Sequence, residues 1–262
     1  MENTPLQAAI IGAGNVAWGL APALEKGGMV TIKRVIARSM ESASALASAL
    51  GHNVEASTDT RGADRDVDLV IVAATDSAVE PLARASAGSQ AIWIHTSGSV
   101  DTTVLAAASP RYGVIYPMQT FTRGVATDLS DAPIFIDAAS PELADLLTRI
   151  ALTVSANVRP ADSAARRRLH CAAVFACNFT NHLWDIADGI ARRAGSSIAD
   201  FMPLIDETLR KAKAIGPHAG QTGPARRGAE GVMELHRLML SPADAEIYRL
   251  LSQSIAKAYE QD

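Results

Sequence analysis

Two glycines near the start of the chain, Gly12 and Gly14, have the spacing of a turn that grips the pyrophosphate of a dinucleotide. An apolar run enters the turn and Ala17 follows it, so the pattern is Gly-x-Gly-x-x-Ala. The first glycine permits a sharp turn, the second lets the backbone approach the pyrophosphate, and the small third residue lets a helix pack closely on a strand. The first backbone N–H groups of that helix, at Asn15 and Val16, are expected to face the anion.

The residues after the second predicted strand favour NADP over NAD. That strand covers residues 31–37 and is followed by Arg38 and Ser39, with no acidic residue before Glu41. NAD enzymes usually place Asp or Glu here on the ribose 2′-hydroxyl, whereas an arginine and a serine hydroxyl can bind the 2′-phosphate of NADP. A solvated surface arginine is the alternative interpretation of Arg38.

Three further segments place polar residues just after predicted strands, where sheets of this kind bind their ligands. Ala74 and Thr75 could line the nicotinamide ribose, although Thr75 could equally be the N-cap of a helix. His95 and Ser97 could orient a substrate carbonyl or carboxylate; the alternative for His95 is a ring satisfied by neighbouring backbone. Gln119 could form a substrate wall or part of a structural turn.

The C-terminal part of the chain supplies a candidate proton donor and a candidate anion site. His170 is the leading donor, and Asn178 lies eight residues further along the same predicted helix. That spacing is about 12 Å of helical rise, so both can line one cleft without touching. A glycine-rich loop carries Thr222, Arg226 and Arg227, which suit a substrate carboxylate. The alternatives are a core histidine and a salt-bridge network between domains or subunits.

Strand and helix patterns that alternate along residues 1–159 predict an α/β domain with a doubly wound, mostly parallel sheet. The predicted strands cover residues 8–12, 31–37, 67–73, 91–95, 113–116, 133–137 and 157–159. The predicted helices cover residues 15–27, 39–50, 77–87 and 141–153. We therefore expect a nucleotide-binding domain over residues 1–159.

From residue 160 the strand signals vanish, and residues 160–262 are expected to form an all-helical substrate and dimerisation domain. The helical patterns cover residues 161–194, 198–215, 229–240 and 242–260. The first is too long and apolar to be solvated on every side. It could pack across the interface of a homodimer, or it could form the core of one subunit.

Composition narrows the class of protein. The 262 residues are 48% apolar and carry a net charge of −4 without a basic block, which argues against disorder and against nucleic acid as a partner. Cys171 and Cys177 lie on different faces of an apolar helical stretch and are expected to be small buried hydrophobes in a reducing compartment. With no leader-like segment or membrane span in the sequence, we expect a cytoplasmic protein without a metal centre that acts on a small molecule.

The chain resembles a family that joins a Rossmann-like domain to the helical domain of unknown function DUF2520. The motifs that carry the resemblance span nearly the whole chain: Gly12-Ala13-Gly14-Asn15-Val16-Ala17, His95-Thr96-Ser97-Gly98-Ser99, Tyr116-Pro117-Met118-Gln119-Thr120-Phe121, the helix from Arg167 to Asn178 with His170, and Gln221-Thr222-Gly223-Pro224-Ala225-Arg226-Arg227-Gly228. The family is similar to F420-dependent NADP oxidoreductases and is related to pyrroline-carboxylate reductase and 6-phosphogluconate dehydrogenase.

The resemblance implies an NADP-dependent oxidoreductase that acts on a carbonyl or imine carbon, with NAD as the less favoured cofactor. It also implies a dimer completed by the helical domain. Related hydroxyacid dehydrogenases use a lysine four residues before an asparagine, but here Val174 precedes Asn178. His170 or His95 would have to replace that lysine. Other hypotheses are a ketopantoate reductase-like enzyme, an F420-linked NADP reductase, and a non-catalytic NADP-binding sensor or scaffold.

Overall fold

A computed structural model of the chain describes residues 4–51 and 53–260. The chain forms two compact units, one that ends at Phe175 and one that begins at Ala176. This division falls later than the predicted boundary at residue 159, because the helix that starts at Ser163 packs with the sheet. The described part of the chain contains no helix that is both long and apolar enough to cross a membrane.

The first unit is built on one eight-stranded sheet with the strand order β3-β2-β1-β4-β5-β6-β7-β8. All neighbouring strands are parallel except β6 and β7, which are antiparallel. The direction of winding reverses between β1 and β4, which is where such sheets bind dinucleotides. The strands are β1 (Leu6–Ile11), β2 (Val30–Ile36), β3 (Glu55–Ser57), β4 (Leu69–Val72), β5 (Ile92–His95), β6 (Tyr112–Pro117), β7 (Ile134–Ala138) and β8 (Val158–Pro160).

The central strands are buried on both faces, which explains their continuous apolar sequences. In β4, Leu69 and Ile71 pack into one hydrophobic cluster, while Val70 and Val72 pack into a second. Successive side chains of a strand point to opposite faces, so these clusters are the two cores of the sheet. The helices that cover it are α1 (Asn15–Lys26), α2 (Met40–Ala49), α3 (Asp76–Ala85), α4 (Pro141–Leu152) and α5 (Ser163–Ala173).

Helices α2, α4 and α5 each begin at a side-chain N-cap that the sequence supplies. The oxygens of Ser39, Ser140 and Asp162 accept hydrogen bonds from backbone N–H groups three residues later. Such caps satisfy N–H groups that have no partner within the helix. The caps therefore fix where the chain turns away from the sheet.

The predicted α/β class and the mostly parallel sheet are confirmed, and most predicted elements lie within two residues of the observed ones. The short strand β3 and a 3₁₀ turn at Thr102–Ala107 were not predicted. The single helix predicted over residues 161–194 is wrong in one respect. It is divided into α5, a π-helical segment at Val174–Phe179, and α6 (Thr180–Arg193).

The second unit is helical, as predicted, and continues through a 3₁₀ turn at Ile198–Phe201 into α7 (Met202–Ile215), α8 (Pro217–Gly220), α9 (Glu230–Leu238) and α10 (Pro242–Ala258). Within its described residues, only Ala191 and Ala225 are buried. Many large apolar side chains of this unit are exposed, among them Leu204, Leu209, Ile215, Leu235, Leu238 and Met239.

The prediction that both cysteines are buried is wrong, because Cys171 and Cys177 are exposed free thiols in the single chain. The apolar stretch that suggested burial is itself largely exposed, with Phe175 two-thirds accessible. Helical periodicity identifies an apolar surface but does not show what covers it.

Candidate active site

The glycine turn after β1 fits the pyrophosphate of a dinucleotide. Gly12 has φ +118°, and a Cβ added there would lie 2.1 Å from the carbonyl oxygen of Ala73, so only glycine is tolerated. Gly14 is exposed and would meet no atom within 4 Å, which leaves the space beside it open. It is the N-cap of α1 but supplies no side-chain cap. The N–H groups at Asn15 and Val16 are therefore open to an anion.

Arg38 and Ser39 lie just beyond β2, beside this turn in the strand order. Arg38 is exposed and makes no hydrogen bond or ion pair with any residue that the structure describes. The Ser39 hydroxyl caps α2 by accepting from the Ser42 N–H at 3.3 Å. A guanidinium that has no protein partner at this place suits the 2′-phosphate of NADP.

The segment after β4 keeps a free hydroxyl. Thr75 stands at the N-cap position of α3, but its side chain makes no capping hydrogen bond. Ala74 is half-buried and Thr75 is exposed. Thr75 therefore lies at the predicted N-cap position and still has a hydroxyl that could contact a ribose.

The turn after β5 is held by its own side chains. Nδ1 of His95 accepts the Ser97 N–H at 3.1 Å, and the Ser97 hydroxyl accepts the N–H groups of Ser99 and Val100 at 3.0 and 3.1 Å. His95 is completely buried, and its Nε2 has no hydrogen-bond partner among the described residues. Burial, reinforced by the charge of Arg166, lowers the pKa of His95 to about 4, against an opposing effect of Asp101. The ring is therefore neutral near pH 7.

Arg166 ties this turn to α5. Its fully buried guanidinium donates to the backbone oxygens of Ser97 and Val100, at 3.1 and 2.7 Å. It also donates to the Thr102 hydroxyl at 3.1 Å and forms an ion pair with Asp137 of β7 at 3.4 Å. These contacts join β7, the turn after β5 and α5 in one hydrogen-bonded network.

His170 lies one helical turn beyond Arg166 and meets Tyr116 of β6. The Tyr116 hydroxyl and His170 Nδ1 are 3.0 Å apart, and the two rings are edge-on. A Cβ at Gly98 would lie 2.8 Å from both the His170 side chain and the Tyr116 ring, so glycine is needed where the three segments meet. Burial raises the pKa of Tyr116, the charge of Arg166 opposes the rise, and Asp76 adds to it.

The loop after β6 packs on α1. The Phe121 ring lies against Gly19, where a Cβ would come within 2.2 Å of it, and Arg123 stacks over Trp18 at 5.7 Å. Gln119 is exposed, and its side-chain oxygen accepts the N–H of the next residue at 2.9 Å. The predicted structural turn is therefore present, and it leaves the amide nitrogen of Gln119 available.

In the second unit the predicted residues fall into two groups. Asn178 lies exposed in the π-helical segment. Arg226 stacks over the Tyr259 ring at 4.8 Å and donates to the Gln221 carbonyl at 2.6 Å. Thr222 and Arg227 are exposed, and Arg227 has no hydrogen bond or ion pair within the described chain.

Sequence reasoning missed Arg166 and gave Tyr116 no chemical role. Arg166 stands first in a run of three arginines, which suggests a solvated helix face. The sequence held one weak signal for Arg166, its spacing from His170. The two residues are four positions apart and therefore lie on the same side of the helix. Tyr116 lies near the end of a buried strand and precedes a proline, which marked the position but not its partner.

Two family models match the chain. Residues 7–97 match the family described as NADP oxidoreductase coenzyme F420-dependent, and residues 132–255 match the domain of unknown function DUF2520. A search of curated proteins finds no match.

Solved structures match almost the whole chain. A candidate NADP oxidoreductase from Bacteroides fragilis is 40% identical, with a TM-score of 0.90 over 98% of this chain and 100% of its own. A reductive aminase from Aspergillus terreus, in complex with NADPH and ethyl-5-oxohexanoate, is 18% identical and has a TM-score of 0.71. The match covers 98% of this chain and 95% of the aminase. Plasmodium falciparum pyrroline carboxylate reductase with NADP bound is 9% identical and has a TM-score of 0.56. The match covers 98% of this chain and 99% of the reductase.

The chain belongs to the family of NADP oxidoreductases that carry the DUF2520 domain. The predicted resemblance, the NADP-dependent oxidoreductase class and the NADP cofactor are thereby confirmed. The two more distant structures show a shared fold.

We predict that His95→Asn reduces the pH dependence of folding stability. In the folded protein the pKa of His95 is about 4, below its ordinary value of 6.5. The neutral ring therefore stabilises the fold fully above pH 6.5, and this contribution falls as the pH drops toward 4. Between pH 7 and pH 5 the wild type should lose roughly 2 kcal/mol through this residue.

Urea unfolding of both proteins at the two pH values measures the difference. Because all other titrating groups remain, the variant should lose about 2 kcal/mol less than the wild type over this interval. Equal losses in the two proteins would show that His95 titrates normally in the fold.

Proposed function

We propose that this protein uses NADPH to reduce a small carbonyl or imine substrate that bears a carboxylate. The observation that carries the proposal is the position of the His170–Tyr116 pair. It lies at the carboxyl ends of the parallel strands, the same end of the sheet at which the glycine turn follows β1. Tyr116 is the next-to-last residue of β6, which lies three strands from β1, or about 14 Å at the usual strand spacing. A dinucleotide whose pyrophosphate lies on the turn can extend along this edge toward the pair.

The cofactor would be held by groups that the fold already presents. The backbone of Gly12, Gly14, Asn15 and Val16 would hold the pyrophosphate. Arg38 and Ser39 would bind the 2′-phosphate, and Ala74 and Thr75 would line the nicotinamide ribose. NADPH bound in this way supplies the hydride.

His170 is the proposed proton donor, because it is only half-buried and one ring nitrogen remains beyond the contact with Tyr116. His95 is completely buried, so we assign it to holding the turn rather than to contact with substrate. Ser97 and Gln119 remain proposed substrate contacts at the same edge of the sheet. Asn178 remains a proposed catalytic residue.

Arg227 is the proposed partner of the substrate carboxylate. Arg226 already makes two contacts that fasten its loop, to Tyr259 and to the Gln221 carbonyl. Arg227 lies in the same loop without a partner in the described chain, and the exposed hydroxyl of Thr222 can assist it. The loop thus separates an arginine that shapes it from one that can bind an anion.

We also propose that two copies associate through the helical unit. Leu204, Leu235 and Leu238 are among the many large apolar side chains that this unit exposes, and soluble monomers usually leave only small apolar patches in water. The fold of the single chain offers this unit almost no core of its own, since its described residues include only two buried alanines.

Sedimentation equilibrium is expected to give twice the 27.5 kDa of the chain. Leu238→Arg should shift the protein toward the monomer, because it buries a charge at the interface. Leu152→Arg, at an equally apolar exposed residue of the first unit, is the control and should stay dimeric. A monomeric wild type would contradict the proposal.

The activity is tested by following NADPH oxidation with 2-keto acids, cyclic imino acids, matched amides that lack the carboxylate, and oxidised coenzyme F420. Turnover of acids in preference to their amides is expected. Turnover of F420 alone would favour an F420-linked reductase instead. The proposal would be contradicted if none of these compounds made NADPH oxidation faster than it is without substrate.

The same assay, run with single-residue variants, tests the proposed cofactor-binding and substrate-binding arginines. Arg38→Ala should raise KM for NADPH by about 10- to 100-fold and leave NADH unaffected, because only NADPH carries the 2′-phosphate. Arg227→Ala should raise KM for the acids by a similar factor and leave the amides unchanged. Arg226→Ala should impair acids and amides alike. Equal effects on both cofactors, or on acids and amides in Arg227→Ala, would overturn these assignments.

A further inference from the structure

We infer that Tyr116 is a positioning residue that occupies Nδ1 of His170 and so makes Nε2 the nitrogen that delivers the proton. The inference rests on the proposed function, in which His170 is the donor. It concerns which atom reacts and which residue selects that atom. Tyr116 does not need to touch the substrate.

The phenol is held rigidly. Tyr116 lies opposite Phe135 in the β6–β7 ladder, and their rings stack with centroids 6.2 Å apart. Only 7% of Tyr116 is accessible. A ring confined in this way directs its hydroxyl to one place, and at that place Nδ1 of His170 lies 3.0 Å away.

The imidazole is held from the other side. His170 follows Arg166 by one helical turn, and Arg166 is bonded to the Ser97 carbonyl beside Gly98. At Gly98 an added Cβ would come within 2.8 Å of both members of the pair. The hydrogen bond therefore depends on three chain segments packed as closely as a glycine allows.

The phenol oxygen accepts a hydrogen bond from Nδ1–H in both protonation states of the imidazole. Nδ1 carries a proton in the imidazolium and also in the neutral tautomer whose unprotonated nitrogen is Nε2. Because burial raises the pKa of Tyr116, the phenol keeps its own proton. It therefore fixes the ring without taking part in the proton transfer.

The proton step balances with this assignment. The substrate carbon gains the hydride that NADPH supplies, and the electron pair of the double bond moves to the oxygen or nitrogen. The Nε2–H bond of the His170 imidazolium breaks, and its proton goes to that heteroatom. The neutral imidazole keeps its Nδ1–H on the Tyr116 oxygen, and water returns a proton to Nε2.

The test removes only the hydroxyl. Tyr116→Phe keeps the stacked ring, and Tyr112→Phe is a matched control because the Tyr112 hydroxyl, on the same strand, has no hydrogen bond in the described chain. Long-range ¹H–¹⁵N spectra of protein labelled at histidine report the tautomer, and His170→Asn identifies the signals. We expect Tyr116→Phe to move the His170 Nδ1 signal and mix the tautomers, and Tyr112→Phe to change neither.

Kinetics with any substrate found above provide a second readout. Tyr116→Phe should lower kcat by at least about tenfold and alter its pH profile, with little change in KM. Identical His170 spectra in wild type and Tyr116→Phe would overturn the inference. Spectra that change as expected in a protein without turnover would support the positioning role and contradict the proposed function, so the two failures are distinguishable.

Discussion

The structure of the candidate site depends on one buried cation, the guanidinium of Arg166. It reaches the backbone oxygens of Ser97 and Val100 and the carboxylate of Asp137, and thereby joins α5 to the turn after β5 and to β7. A buried charge is tolerated only when it is paired and its hydrogen-bonding groups are satisfied. This network therefore fixes the position of α5 against the sheet, and with it the position of His170.

The same cation sets the electrostatics of its surroundings. Together with burial it lowers the pKa of His95, which keeps that ring neutral and suited to bind the Ser97 N–H. It opposes the rise in the pKa of Tyr116. The two histidines differ in environment: His95 is completely buried, whereas His170 is half-buried and keeps one ring nitrogen outside its contact with Tyr116.

The glycine turn, the sheet and its ligand-binding edge could be predicted because each depends on local sequence. Gly12 and Gly14 are only two positions apart in the chain, and apolar runs such as the one in β4 identify buried strands. The Tyr116–His170 pair could not be predicted, because the two residues lie 54 positions apart and meet only through tertiary packing. Likewise, only its spacing of four residues from His170 sets buried Arg166 apart from exposed Arg167, and the π-helical break at Val174–Phe179 leaves no clear sequence signal.

Hydrogen–deuterium exchange of Arg166→Met, compared with Arg167→Met, tests the central role of the buried guanidinium most directly. Arg167 pairs with Asp101 at the surface, so its loss should cost little. Arg166→Met removes the buried guanidinium and should lower the stability of the packing around it by about 3–5 kcal/mol. Exchange should become roughly a hundredfold or more faster in residues 95–102 and 163–173, with the glycine turn at 12–17 less affected. Unchanged protection of those segments, or the same loss throughout the first unit, would contradict the account.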